Sequence, residues 1–265
     1  VKPYSCLGRV VLPQLQADRL RSVIDHVRLG PKVLDEWGFG ALLDVRGVSV
    51  LFAGASGTGK TLAAHALASE LGADLYVIDL AKVVSKFIGE TERHLDLAFT
   101  EAEQAGAVLL FDEADALFGK RSSVRDSHDR YANIEVAYLL QRMEAFSGLA
   151  ILTSNHPENI DPAFARRLRF QIDFPRPDAA ARKTIWEQSI PPGAHREPDL
   201  DFAFVARALD LTGGSIRTIA LHAAIAAAHE DKPIGMPHLL VGARVELMRL
   251  GNFGDVARLE QLKAA

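Results

Sequence analysis

Between residues 15 and 29 the apolar positions recur at helical spacing, and Gly30-Pro31 stops the run. Beyond it the pattern changes. Residues 48–53, 75–80, 107–111, 150–153 and 170–174 form short β-rich stretches. They read as continuous apolar runs, which predicts strands covered on both faces. Helix-period segments at 60–71, 91–104 and 133–146 separate the first four. Strands alternating with helices imply an α/β fold, a parallel five-stranded sheet sandwiched by helices. After Pro175 the strand signals vanish. Helical patterns follow at 179–188, 202–209, 215–230 and 239–250, broken at Pro191-Pro192-Gly193 and over 232–237. The expected organisation is a helical lead-in and α/β core over 1–176, then a small C-terminal helical lid over 177–265.

Within this frame one stretch carries specific chemistry. Gly54-Ala55-Ser56-Gly57-Thr58-Gly59-Lys60-Thr61 fits G-x-x-x-x-G-K-[ST], directly after a predicted strand and opening a predicted helix. Such a loop turns its backbone N–H groups around phosphate oxygens, and the helix adds its positive N-terminal end. Lys60 supplies a charge to the β- and γ-phosphates of ATP, and Thr61 offers a hydroxyl to Mg²⁺. The third strand ends in Asp112-Glu113, where parallel strands present ligand-contacting groups. Asp112 suits Mg²⁺, and Glu113 suits orienting and polarising an attacking water. Asp112-Glu113-Ala114-Asp115 also spells a helicase tetrapeptide, but helicases of that group need two tandem α/β domains and this chain has room for one.

Composition narrows the setting. At 265 residues, with 48% hydrophobic and 24% charged positions, the balance is that of an ordinary globular protein. The net charge of −4 argues against a dedicated nucleic-acid binder. No apolar stretch approaches the roughly 18 residues of a membrane span. Cys6 is the single cysteine, so no internal disulfide forms and a cytoplasmic address is expected. None of the nine histidines shows metal-ligand spacing. The opening at Val1 rather than Met reads as a processed chain or a domain cut from a longer protein.

Several further segments align with one family. From about residue 34 to 249 the chain resembles AAA+ ATPases. The resemblance implies ATP/ADP binding with Mg²⁺, hydrolysis, and assembly into a ring, normally a hexamer. Asn155, after the fourth strand, matches the polar sensor placed between Glu113 and the γ-phosphate. Asp161-Pro162-Ala163-Phe164-Ala165-Arg166-Arg167-Leu168-Arg169-Phe170 resembles the segment that sends arginine fingers to a neighbour's nucleotide. Arg166 is the first choice, with Arg167 and Arg169 as seconds, because the segment departs from the frequent Arg-Pro-Gly-Arg spelling. Gly213-Gly214-Ser215-Ile216-Arg217 resembles a second sensor, with Arg217 reaching the nucleotide of its own subunit. Trp37 and Gly38 precede the first strand, where such proteins often contact adenine.

Ser85-Lys86-Phe87-Ile88-Gly89-Glu90 resembles the first pore loop of protein-remodelling members, in which Phe87 and Ile88 grip a polypeptide substrate. Residues 119–130 fall where a second pore loop belongs. A narrower resemblance, over 110–146 and Trp37-Gly38-Phe39, is to the ATPases encoded with phage-tail-like contractile injection systems. The implied function is ATP-driven remodelling or threading of protein through a ring. The rival on the same fold is a nucleic-acid motor or helicase loader.

Overall fold

Five parallel strands form one sheet: β1 (Val48–Ala53), β2 (Leu75–Asp79), β3 (Val108–Asp112), β4 (Leu149–Ser154) and β5 (Phe170–Asp173), in the spatial order β2-β3-β4-β1-β5. They belong to a computed structural model that describes residues 1–43, 47–80, 90–116, 127–160, 162–252 and 254–256. The chain divides into two compact units. One spans Val1–Ala55 and Gly59–Pro175, and the other takes Ser56–Thr58 and the chain from Arg176.

In the first unit every strand residue of β1 and β4 is buried, as their unbroken apolar pattern predicts. The two-residue period of the strand sends alternate side chains to opposite faces. Val48, Val50 and Phe52 of β1 join Leu149 and Ile151 of β4 on one face. Leu51 and Ala53 join Ala150 and Leu152 on the other. Helices α1 (Gln14–Pro31) and α2 (Lys60–Leu71) cover the first face through Val23, Ile24, Ala64 and Leu67. Helices α3 (Glu90–Ala105) and α4 (Ser127–Ala145) cover the second through Leu95, Phe99, Leu139 and Met143. The sandwich follows because neither sheet face could be left in water at this density of apolar side chains.

The second unit contains α5 (Ala179–Ser189), α6 (Phe202–Ala208), α7 (Gly213–His229) and α8 (Met236–Arg249). Trp186 of α5 is fully buried in it. Helices α7 and α8 approach closely at Gly242, where a Cβ would lie 2.7 Å from the Ile219 carbonyl oxygen. Glu246 of α8 is completely buried, and Arg249 one turn on holds both its carboxylate oxygens at 2.7 Å. That guanidinium, with a smaller part from the Ser215 hydroxyl, holds the Glu246 carboxyl below the usual range against the cost of burial.

Three element boundaries differ clearly from expectation. Helix α1 runs through Gly30 and Pro31 and passes into helical turns over Lys32–Glu36, so Gly30-Pro31 does not stop it. Helix α4 starts at Ser127 instead of 133, because its first turns are polar and carry no apolar period. Helix α8 starts at Met236, with Pro237 inside its first turn rather than ending a break; proline is tolerated there, where its missing N–H has no intrahelical partner. Among the described residues no helix is long and apolar enough to cross a membrane.

Candidate active site

Because all five strands are parallel, their C-terminal ends share one edge, and the chain-reversing loops there collect the polar groups. Strand β1 ends at Ala53 and turns through Gly54–Gly59 into α2. Gly54 holds φ of +151° beside β5's exit, and a Cβ on it would meet the Phe174 carbonyl oxygen at 2.3 Å. Gly59 caps α2 at φ +106° with no side chain over the first N–H groups, which leaves them to a ligand.

Lys60 follows, 6% exposed. Its Nζ donates to the Gly54 carbonyl at 2.5 Å, the Ala55 carbonyl at 2.9 Å and Asn155 Oδ1 at 2.8 Å. Burial lowers its pKa, and the carboxylates of Asp112 and Asp115 oppose that shift. The contact with Asn155 has a topological cause. Strand β4 lies between β1 and β3, so the residue leaving β4 stands between the phosphate loop and the acids of β3.

Thr61 Oγ1 donates to Asp112 Oδ2 at 3.3 Å. The Thr153 hydroxyl donates to Asp112 Oδ1. The Glu113 N–H is shared between Asp112 Oδ1 and Thr153 Oγ1, each at 3.2 Å. Glu113 itself is exposed and holds φ of +56°, in the left-handed region. Its backbone is thus pinned to Asp112 and Thr153 while the residue stays open to solvent.

A hydroxyl and one carboxylate within 3.3 Å suit Mg²⁺, which takes one or two protein ligands and fills the rest from phosphate and water. No cluster of three or more His, Cys, Asp or Glu side chains that could hold a metal occurs among the described residues. The uncapped α2 terminus and the glycine cradle likewise suit a triphosphate.

Lys60, Thr61, Asp112, Glu113 and Asn155 are thus brought together. Thr153, Ser154 and Asp115 join them without having been singled out for the site. Their signal was faint: two polar residues, at most 1% exposed, ending an otherwise apolar strand. Trp37 and Gly38 are not brought to this cluster. Trp37 is 63% exposed, and Gly38 lines a cleft of about 770 Å³ with Gly47, Val48, Gly148 and Arg169, where β1, β4 and β5 begin. Arg166, Arg167 and Arg169 border another cleft, of about 690 Å³, with Ser49 and Glu144. Arg167 is engaged by Glu144 at 2.9 and 3.3 Å. Arg166 is exposed and makes no hydrogen bond or ion pair among the described residues. Arg217 and the loop residues Ser56, Gly57 and Thr58 belong to the second unit, where the Gly214 N–H donates to the Gly57 carbonyl at 2.9 Å. Phe87, Ile88 and residues 119–126 lie outside the described residues.

Comparison with known proteins agrees with this geometry. Residues 50–177 match the ATPase family associated with various cellular activities (AAA). The RPT4 subunit of the 26S proteasome from Saccharomyces cerevisiae is 31% identical over 225 residues, covering 82% of this chain and 50% of that protein. These matches support the AAA+ P-loop family. The SAV protein of Sulfolobus acidocaldarius is 38% identical over 143 residues, 51% of this chain and 18% of that one. The cell division cycle protein 48 homolog of Archaeoglobus fulgidus is 37% identical over 145 residues, 52% of this chain and 20% of that one. The chain therefore spans half or less of the length of these AAA relatives. An AAA domain implies nucleotide binding and supports ATP hydrolysis.

Proposed function

We propose that this chain is a Mg²⁺-dependent ATPase that works in the cytoplasm as a ring, a hexamer, and spends hydrolysis on remodelling or threading protein. The observation that carries the proposal is the 2.8 Å contact between Lys60 Nζ and Asn155 Oδ1, beside Asp112 and Glu113. It unites the exits of three neighbouring strands into one hydrolytic set. In that set Lys60 and the loop N–H groups neutralise the phosphates. Glu113 accepts a proton from the attacking water, and Asn155 orients the group between them. Thr61 and Asp112 would hold Mg²⁺, which supplies charge neutralisation on the phosphate oxygens. Arg217 acts on the nucleotide of its own subunit. Arg166, exposed beside Glu144-bound Arg167 and without an ion pair among the described residues, acts as the finger toward a neighbour.

Protein as substrate is supported by the relative named as a 26S proteasome subunit and by the pore-loop resemblance at Phe87 and Ile88. The link to contractile injection systems rests on the sequence resemblance alone, as do the adenine contacts of Trp37 and Gly38.

The test is an ATPase assay with an unfolded protein, with single-stranded DNA and with neither, on the wild type and on Glu113→Gln and Phe87→Ala. Glu113→Gln should bind ATP and lose turnover by about 10²–10⁴-fold, the usual worth of a general base. Unfolded protein alone should stimulate the wild type, and Phe87→Ala should lose that stimulation. Wild-type turnover in Glu113→Gln would remove the hydrolytic assignment. Stimulation by DNA alone would replace the remodelling reading with the nucleic-acid motor.

A further inference from the structure

Asp115, the last residue of the Asp112-Glu113-Ala114-Asp115 tetrapeptide, contributes its charge toward Lys60 but has no contact with the ligand-facing groups assigned above. Yet its carboxylate accepts three hydrogen bonds. It lies in the single turn Ala114–Ala116 after β3, half-buried. Its Oδ1 accepts from Ser154 Oγ at 2.6 Å and from the His156 N–H at 3.3 Å. Its Oδ2 accepts from the Asn155 N–H at 2.7 Å. Three consecutive residues thus donate to one carboxylate some 40 positions away in the chain. The His156 N–H is shared with Ser154 Oγ at 3.1 Å. His156 begins the turn Pro157–Asn159 without a capping side chain of its own. Asp115, just beyond β3, accepts from the N–H groups of the two residues that lead into this turn.

We propose that Asp115 is a positioning residue for Asn155: it fixes the backbone as it leaves β4, so that Oδ1 of Asn155 faces Lys60. The inference rests on the ATPase reading of the site. A carboxylate is the group this position requires. All three partners are donors, and an ionised carboxylate only accepts. Charge-assisted bonds are also the stronger and shorter kind, as the 2.6 and 2.7 Å contacts here are. A carboxamide of the same shape must aim its NH₂ at an N–H or O–H donor, so Asn at this position loses at least one bond and gains a repulsion. Lys60 keeps its two carbonyl partners in that variant, so nucleotide binding survives while the orientation of Asn155 does not.

The experiment measures kcat, KM for ATP and melting temperature for Asp115→Asn, Ser154→Ala, Asn155→Ala and the double variant Asp115→Asn/Asn155→Ala. Asp115→Asn should lower kcat on the order of 10–100-fold with KM changed less than about threefold, an interaction strengthened in the transition state. Ser154→Ala removes one donor of three and should show a smaller loss of the same kind. The decisive reading is the cycle. A residue acting through Asn155 has nothing left to position once that side chain is gone, so the double variant should be no slower than Asn155→Ala alone. Multiplicative losses in the double variant would overturn the proposal, as would a wild-type kcat in Asp115→Asn. A common fall of kcat, affinity and melting temperature in both Asp115→Asn and Ser154→Ala would assign Asp115 to stability instead. Failure of the ATPase reading is seen separately, in Glu113→Gln.

Discussion

Glu113 carries a backbone conformation that its residue type resists. For an L-residue with a Cβ, the left-handed region costs roughly 1–2 kcal/mol, and Glu113 sits in it at φ +56°. The bonds from its N–H to Asp112 and Thr153 hold it there. Strain of this kind persists where surrounding structure enforces it, commonly at functional sites. Two variants isolate the effect. Glu113→Ala and Glu113→Gly both remove the carboxylate and should both be inactive. Only glycine relieves the backbone, so Glu113→Gly should be the more stable of the two by about 1 kcal/mol in denaturant titration. A less stable glycine variant would mean that the conformation is not strained in solution. At this scale the positions of Lys60 and Thr61 were legible, because a contiguous motif spells them in its proper strand–loop–helix setting, and so was that of Asp112-Glu113 at the end of a strand run. Thr153 and Asp115 were not. Their roles depend on β3 and β4 being neighbours, and no local pattern records which strands lie side by side.

Elements were more legible than their ends. The strand run at 48–53 could be read because burial on both sheet faces leaves an unbroken apolar signature, and the helix at 60–71 because the phosphate-loop motif opens it and Gly72 closes it. The starts at 179 and 202 were legible, whereas α4 begins six residues before its apolar period. Three helices of the second unit begin with a side chain over the first turn: Asp178, Asp201 and Thr212 accept from the N–H groups of Ala181, Phe204 and Ser215. The cap weighs most on α6, which has only seven residues and little propagation of its own. Asp201 accepts there at 2.7 Å. Asp201→Ala should lower stability by about 1 kcal/mol, and Asp201→Asn by far less, since asparagine caps as well as aspartate. Equal losses in the two variants, read from thermal melts, would point to the charge rather than to the cap.

Taken as a whole, the molecule has its two tryptophans in opposite circumstances and in different units. Trp37 stands 63% exposed before β1, whereas Trp186 is fully buried on α5 with no hydrogen-bond partner for its indole N–H among the described residues. An indole in apolar surroundings emits at shorter wavelength than one in water, and a contact quencher reaches only the second kind. The protein therefore carries a native optical label on its C-terminal helices. In Trp37→Phe the remaining emission should be blue-shifted and nearly insensitive to acrylamide, becoming red-shifted and quenchable as denaturant is added. Ready quenching in native buffer would contradict the burial of Trp186. The single substitution gives a fluorescence channel that follows the helical unit alone, while circular dichroism follows the entire chain. With it, the response of that unit to nucleotide can be followed without attaching any dye.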